Sequence, residues 1–71
     1  MTDTKEFEMA LLKAGKTKAD IARLLGVSLQ TIYNKLNNVV DFKSREIIAI
    51  AKFLNLSKSK RDVIFFAKQV D

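Results

Sequence analysis

Residues 17–37 are the feature that most constrains the fold, because they form two short helical patterns on either side of one glycine. Thr17 and Ser28 each stand where a hydroxyl side chain can cap the first turn of a helix. Apolar residues follow both at helical spacing. Gly26 lies between the patterns, where left-handed backbone ends one helix and turns the chain sharply. The sequence therefore predicts helices over 18–25 and from 29 to about 37, joined by a tight turn.

Three further residues fit this arrangement. Ala22 is small where the two helices cross, Val27 fills the core after the turn, and Ile32 anchors the second helix from behind. This is the layout of a helix-turn-helix, whose second helix lies in the major groove in proteins that bind DNA.

The composition bounds the class of protein. A chain of 71 residues predicts one domain over 1–71 and buries only about 60% of its unfolded surface. The sequence contains neither Cys nor His, which argues against disulfides, zinc sites and the commonest general base. We therefore expect a protein that is not an enzyme, with no catalytic residues, no metal and no cofactor. No apolar run approaches 18 residues, so we expect no membrane partner and a cytoplasmic location.

The net charge of +5 is unevenly distributed. Residues 16–61 hold ten Lys and Arg against three acidic residues, whereas the segments before and after each carry a charge of −1. The positive charge thus coincides with the two-helix motif and the residues that come after it. That distribution favours a surface facing phosphates, although a solvated basic surface is the alternative.

Three more helices complete an all-α prediction of five. The first covers Thr4–Ala14, with Asp3 and Glu6 in capping-box spacing. The fourth runs from about Lys43 to Leu54. The fifth begins after Ser57 or Ser59, where Ser59 and Asp62 are also in capping-box spacing, and ends near Ile64 or Phe66 before an irregular or extended tail. The predicted inward residues are Phe7, Ala10, Leu11, Ala14, Ile21, Ala22, Leu25, Ile32, Leu36, Ile47, Ile50, Ala51 and Leu54, with Phe53, Phe65 and Phe66 closing the core.

The second helix of the motif carries the candidate site. If Ile32 and Leu36 hold it to the body, its other side faces outward, where amides can pair with adenine and apolar groups can touch a thymine methyl. The predicted base contacts are Leu29, Gln30, Thr31, Tyr33 and Asn34. The predicted phosphate contacts are Lys18, Ser28, Lys35, Asn37, Asn38 and Lys43, with Arg23 and Arg45 as weaker candidates.

These residues also carry a resemblance. The segment from about 14 to 56 resembles the lambda-repressor-like family of helix-turn-helix domains, through Ile21-Ala22, Leu25-Gly26-Val27-Ser28, Thr31-Ile32 and Ile50-Ala51-Lys52-Phe53-Leu54-Asn55-Leu56. The stretches 31–37, 41–43 and 64–67 are most similar to small Cro-like proteins from phages of Gram-positive bacteria. The sequence departs from the family at three places: Lys18 replaces a frequent Gln, Asn38 replaces the usual Gly, and the apolar anchor late in the third helix falls at Leu36, one position later than in the lambda repressor itself.

The resemblance implies a five-helix lambda-repressor-like DNA-binding domain. It also implies a transcriptional regulator, a Cro-like repressor in a phage lysis–lysogeny switch within a bacterial host cell. Such a protein binds a palindromic double-stranded DNA operator as a homodimer, and we expect the Phe65-Phe66 end to join the two copies. The alternative is an anti-repressor or modulator that binds a partner phage repressor through the same fold.

Overall fold

The computed structural model describes residues 1–67, which form five α-helices and contain no strand. The helices are α1 (Thr4–Ala14), α2 (Lys18–Leu25), α3 (Leu29–Leu36), α4 (Ser44–Phe53) and α5 (Lys58–Phe65). The all-α, five-helix prediction is confirmed. The predicted tail falls largely on residues 68–71, outside the described residues. None of the five helices is long and apolar enough to cross a membrane.

Local capping sets the bounds of α2 and α3. The Thr17 hydroxyl accepts from the Asp20 N–H at 3.1 Å, and the Asp20 carboxylate accepts from the Thr17 N–H at 2.8 Å. Ser28 accepts from the Thr31 N–H at 3.1 Å. Gly26 ends α2 with a φ of 68°, in the left-handed region that the turn requires. The caps and the turn glycine predicted for the helix-turn-helix are therefore present.

Two other predicted capping boxes are wrong. Asp3 does cap α1, but its own N–H donates to the Ile64 carbonyl at 2.7 Å, and the Glu6 carboxylate instead pairs with Lys60 at 3.0 Å. At α5 the capping residue is Ser57, which accepts from the Lys60 N–H at 3.1 Å. Ser59 consequently lies inside the first turn of α5, where it caps nothing.

The core fills the space between all five helices. Its members include Phe7 of α1, Ile21 of α2, Ile32 of α3, Ile50 of α4 and Ile64 of α5, each fully buried. Packing of this kind supplies most of the stability of short helices.

Three aromatic rings close one end of that core. Phe7 stacks on Phe42 with centroids 5.9 Å apart, and Phe65 meets both rings edge-on. The prediction that Phe65 closes the core is confirmed. Phe53 is only half-buried and Phe66 is exposed, so the prediction is wrong for Phe66.

Residues before α1 join the end of α3 to the end of α5. The Thr2 N–H donates to Asn38 Oδ1 at 2.8 Å, and Asn38 Nδ2 donates to the Thr2 carbonyl at 3.1 Å. The Ala67 N–H donates to the Met1 carbonyl at 3.1 Å. Asn38 adopts a φ of 60°, left-handed geometry that Asn tolerates in place of Gly. These bonds fix the carboxyl end of α3 against the body of the protein.

Candidate nucleic-acid interface

Helix α3 has one side locked into the core and the other open. Ile32 and Leu36 are buried, as predicted. On the rest of its surface Leu29 and Tyr33 are each 40% exposed, large apolar groups left accessible in a small protein. Gln30 is exposed, whereas Thr31 and Asn34 are half-buried. The predicted base-contact residues thus lie along the open side, and their contacts with bases stay a prediction.

The two amides on the open side are hydrogen-bonded to each other. Gln30 Nε2 donates to Asn34 Oδ1 at 3.1 Å, one helical turn apart. This bond leaves Gln30 with its carbonyl acceptor and one N–H donor. One acceptor and one donor on the same amide are what a bidentate pairing with adenine needs. The bond therefore orients the pair without consuming its capacity to recognise a base.

Lys35 does not lie where the sequence predicted a phosphate contact. Its side chain is buried, with 6% of the residue exposed, and its Nζ lies 2.8 Å from Glu46 Oε1 of α4. It also donates to the Asp41 carbonyl at 3.4 Å and lies 5.5 Å from the centre of the Phe42 ring. The prediction that Lys35 faces outward toward a phosphate is therefore wrong. Its position three residues after Ile32 places it on the anchored side of α3.

Glu46 holds this lysine and the start of α4 at the same time. Its Oε1 also accepts from the Lys43 N–H at 2.8 Å. Burial by itself would raise the pKa of Glu46, but the hydrogen bonds from Lys35 and from the Lys43 N–H outweigh it and lower that pKa. The carboxylate therefore stays ionised at neutral pH and ties α3 to α4.

The remaining predicted phosphate contacts differ in whether their side chains already contact other parts of the protein. Ser28, Asn37 and Lys43 are exposed around the two ends of α3. Asn38, by contrast, is committed through its amide to the backbone of Thr2. The side chain of Lys18 lies between α1 and α3. Its Nζ is 3.6 Å from the Glu8 carboxylate and 5.4 Å from the centre of the Tyr33 ring.

The two weaker candidates for phosphate contacts, Arg23 and Arg45, differ in whether they form an ion pair. Arg23 forms an ion pair with Asp20 on α2. Arg45 is exposed at the start of α4 and has no ion pair among the described residues. Of the two, Arg45 has the guanidinium that is more available to an external anion.

An open depression borders the exposed side of α3. It has a volume of about 440 Å³ and lies between α1, the start of α2 and α3. Leu12 of α1, which is 83% exposed, lines it together with Leu29 and Tyr33. Sequence reasoning missed Leu12. The signal was available, since Leu11 and Leu12 are about 100° apart on a helix and only Leu11 continues the inward stripe.

The same region carries the similarity to known proteins. Residues 9–39 match the model of the helix-turn-helix domain of resolvase, a span that runs from α1 through α3 and covers less than half of the chain. Neither a curated protein nor a solved structure matches the chain. The family match and the observed geometry both indicate a helix-turn-helix formed by α2, Gly26 and α3. The chain therefore contains a helix-turn-helix, with α3 as its second helix.

Proposed function

We propose that this protein is a sequence-specific regulator of transcription that places α3 in the major groove of double-stranded DNA. The observation that carries the proposal is the division of α3 into an anchored side and an open side. Ile32, Lys35 and Leu36 fix the first, and the hydrogen-bonded Gln30–Asn34 pair lies on the second. A rigid helix presenting amides is suited to reading base edges.

The charges around α3 support contact with phosphates. Lys43 and Arg45 are exposed at the start of α4, and Lys18 lies beside Tyr33. Cations at the flanks of a recognition helix position it on the duplex, while the base contacts supply specificity. The proposed role is therefore binding, without a catalytic step or a cofactor.

The narrower proposal is a Cro-like phage repressor. It is supported by the resemblance of residues 14–56 to lambda-repressor-like domains. In this proposal two copies bind a palindromic operator in the cytoplasm of a bacterial host and block the polymerase, which sets a lysis–lysogeny switch.

A second candidate function rests on the depression beside α3. Leu12, Leu29 and Tyr33 offer an apolar surface that could hold a protein instead of a base. In this alternative the protein is an anti-repressor or modulator that binds a partner phage repressor.

A mobility-shift assay separates the two functions. The protein is titrated onto the DNA that flanks its own coding sequence, with and without the candidate partner repressor. The regulator predicts a specific shift at sub-micromolar concentration by the protein alone, because specific sites bind orders of magnitude more tightly than random DNA. The modulator predicts no specific shift alone, but a protein complex that releases the repressor from DNA.

A matched pair of variants tests which surface acts. Gln30→Ala weakens the specific shift if α3 reads bases, whereas Leu12→Ser leaves it nearly unchanged. A modulator reverses this order, because Leu12 is the most exposed apolar residue of the depression.

A further inference from the structure

Glu8 of α1 places a carboxylate beside the open side of α3. It lines the same depression as Lys18 and Tyr33, and 53% of its side chain is exposed. Unlike Asp3 and Asp20, Glu8 caps no helix. It forms an ion pair with Lys18 of α2. Neither helix capping nor the core therefore accounts for Glu8, and its contact with Lys18 is the one that needs an explanation.

The Glu8–Lys18 pair is loose. Its two charged atoms are 3.6 Å apart, which is longer than a hydrogen bond, whereas Lys60 and Glu6 approach to 3.0 Å. The Lys18 side chain is 28% exposed, so water reaches it. Accessible pairs of this kind contribute little to stability. Lys18 can consequently exchange the Glu8 carboxylate for another anion at little cost.

The position of Lys18 indicates which anion that is. Lys18 is the first residue of α2, and its Nζ lies 5.4 Å from the centre of the Tyr33 ring. The major groove is only about 12 Å wide, so a cation beside a residue that enters the groove lies close to the phosphates along its edge. Glu8, on the other side of Lys18, would then face the same phosphates.

We propose that Glu8 is a negative determinant of DNA affinity, which competes with a backbone phosphate for Lys18. The inference rests on the proposed function, because it requires α3 to enter the groove. Phosphate contacts carry no sequence information. Glu8 therefore lowers the affinity for every duplex alike, and the preference for one sequence stays with the Gln30–Asn34 pair.

Glu6 is a matched control on the same helix. It lies two residues before Glu8, about 200° away around α1, and pairs with Lys60 of α5. Neutralising either glutamate raises the net charge by one unit and releases one lysine. The two variants differ in the side of α1 on which this happens, so their comparison separates a local effect on Lys18 from a general effect of net charge.

Fluorescence anisotropy with a duplex of arbitrary sequence tests the proposal. The full chain is titrated at about 0.1 M salt, where the Debye length of about 10 Å screens charges far from the duplex. Glu8→Gln should tighten binding about three- to tenfold, and Glu6→Gln less than about twofold. In a Lys18→Met background the gain from Glu8→Gln should fall by at least half, because no lysine is left to release and only the repulsion between Glu8 and phosphate is removed.

The outcomes separate this inference from the DNA-binding function. Circular dichroism and the melting temperature first establish that the variants are folded. A gain that is larger for Glu8→Gln than for Glu6→Gln and that depends on Lys18 supports the proposal. Equal gains in the two glutamate variants overturn it, and so does a Glu8→Gln gain that is the same with and without Lys18.

Two further outcomes concern the wild-type protein. If it binds the duplex and Glu8→Gln binds no more tightly, the role of Glu8 is overturned and the DNA-binding function stands. If neither protein binds any duplex at low salt, both are overturned.

Discussion

Lys35 and Glu46 form a buried charge pair that holds α3 to α4, and both side chains are at least nine-tenths buried. An ion that loses its partner at such a site keeps the cost of its burial without the compensating attraction. At the residue scale this pair is the contact on which the placement of α3 depends most.

Lys35→Met is expected to destabilise the protein by about 3 kcal/mol, because it leaves the Glu46 carboxylate buried and unpaired. Lys60→Met is the control. Lys60 also pairs with a glutamate, Glu6, but 39% and 30% of the two side chains are exposed, so its loss costs less than about 1 kcal/mol. Urea unfolding measures both. Equal losses in the two variants would contradict the role given to Lys35, and adding Glu46→Gln to Lys35→Met should recover part of the loss.

The lowered pKa of Glu46 predicts a dependence of stability on acid. A carboxyl whose pKa is lower in the folded state stabilises that state above its unfolded pKa, near 4.5, and loses the contribution as pH falls toward the folded value. Wild type should therefore lose stability more steeply than Glu46→Gln below about pH 4.5. Unfolding of both proteins at a series of pH values gives the difference between their free energies of unfolding. The other carboxylates contribute equally to both proteins, so their contributions cancel in that difference. Parallel curves would show that folding does not lower the pKa of Glu46.

At the scale of elements, local chemistry determines where α2 and α3 begin and end. Each capping group lies within a few residues of the backbone groups that it binds, so these helix ends can be predicted from a single sequence. The capping groups are the Thr17–Asp20 box and Ser28, and the turn residue is Gly26. Ser57 and Ser59 both precede helical residues, and sequence alone does not choose between them. Periodicity puts Lys35 on the side of α3 that Ile32 anchors, but it does not predict a buried charge there, because that burial requires Glu46, which lies eleven residues away on another helix.

Gly15 and Gly26 provide a matched pair of helix ends. Both have φ near 67°, and a Cβ added at either would meet nothing within 4 Å. Gly15→Ala and Gly26→Ala should therefore each cost about 1 to 2 kcal/mol from backbone conformation alone. Gly26→Asn should cost less, since Asn tolerates this region. Thermal or urea unfolding measures the three variants, and a much larger loss at Gly26 would mean that the turn depends on more than its backbone angle.

At the scale of the whole molecule, non-local contacts decide what surrounds α3. The Thr2–Asn38 bonds and the Met1–Ala67 bond connect residues more than 30 positions apart, which no periodicity predicts. The all-helical fold and the open side of α3 could be predicted from apolar spacing. The junction of residues 1–2 with the ends of α3 and α5 could not, because it brings together three separate segments.

The basic surface of the molecule predicts how its affinity for DNA depends on salt. If the basic surface around α3 meets phosphates, affinity for any duplex falls steeply as salt rises, because each neutralised phosphate releases counterions. Lys43→Ala should weaken binding to all sequences alike and make the logarithmic salt slope shallower by about one. Lys58→Ala, on α5, is the control. Fluorescence anisotropy at several ionic strengths measures the slope, and affinity independent of salt would exclude the basic surface as the contact.

The most direct test of the central claim, that the open side of α3 reads DNA sequence, is binding selection from a random duplex library. The selected duplex and a scrambled version are then titrated with wild type, Gln30→Ala and Ser59→Ala, the last changing an exposed residue on α5. We predict that selection yields a common motif, and that Gln30→Ala weakens binding to it by about 1 to 3 kcal/mol while the scrambled duplex and the melting temperature are barely affected. Ser59→Ala should match wild type. Failure to enrich any motif, or a Gln30→Ala protein with undiminished preference for the selected duplex, would contradict the account.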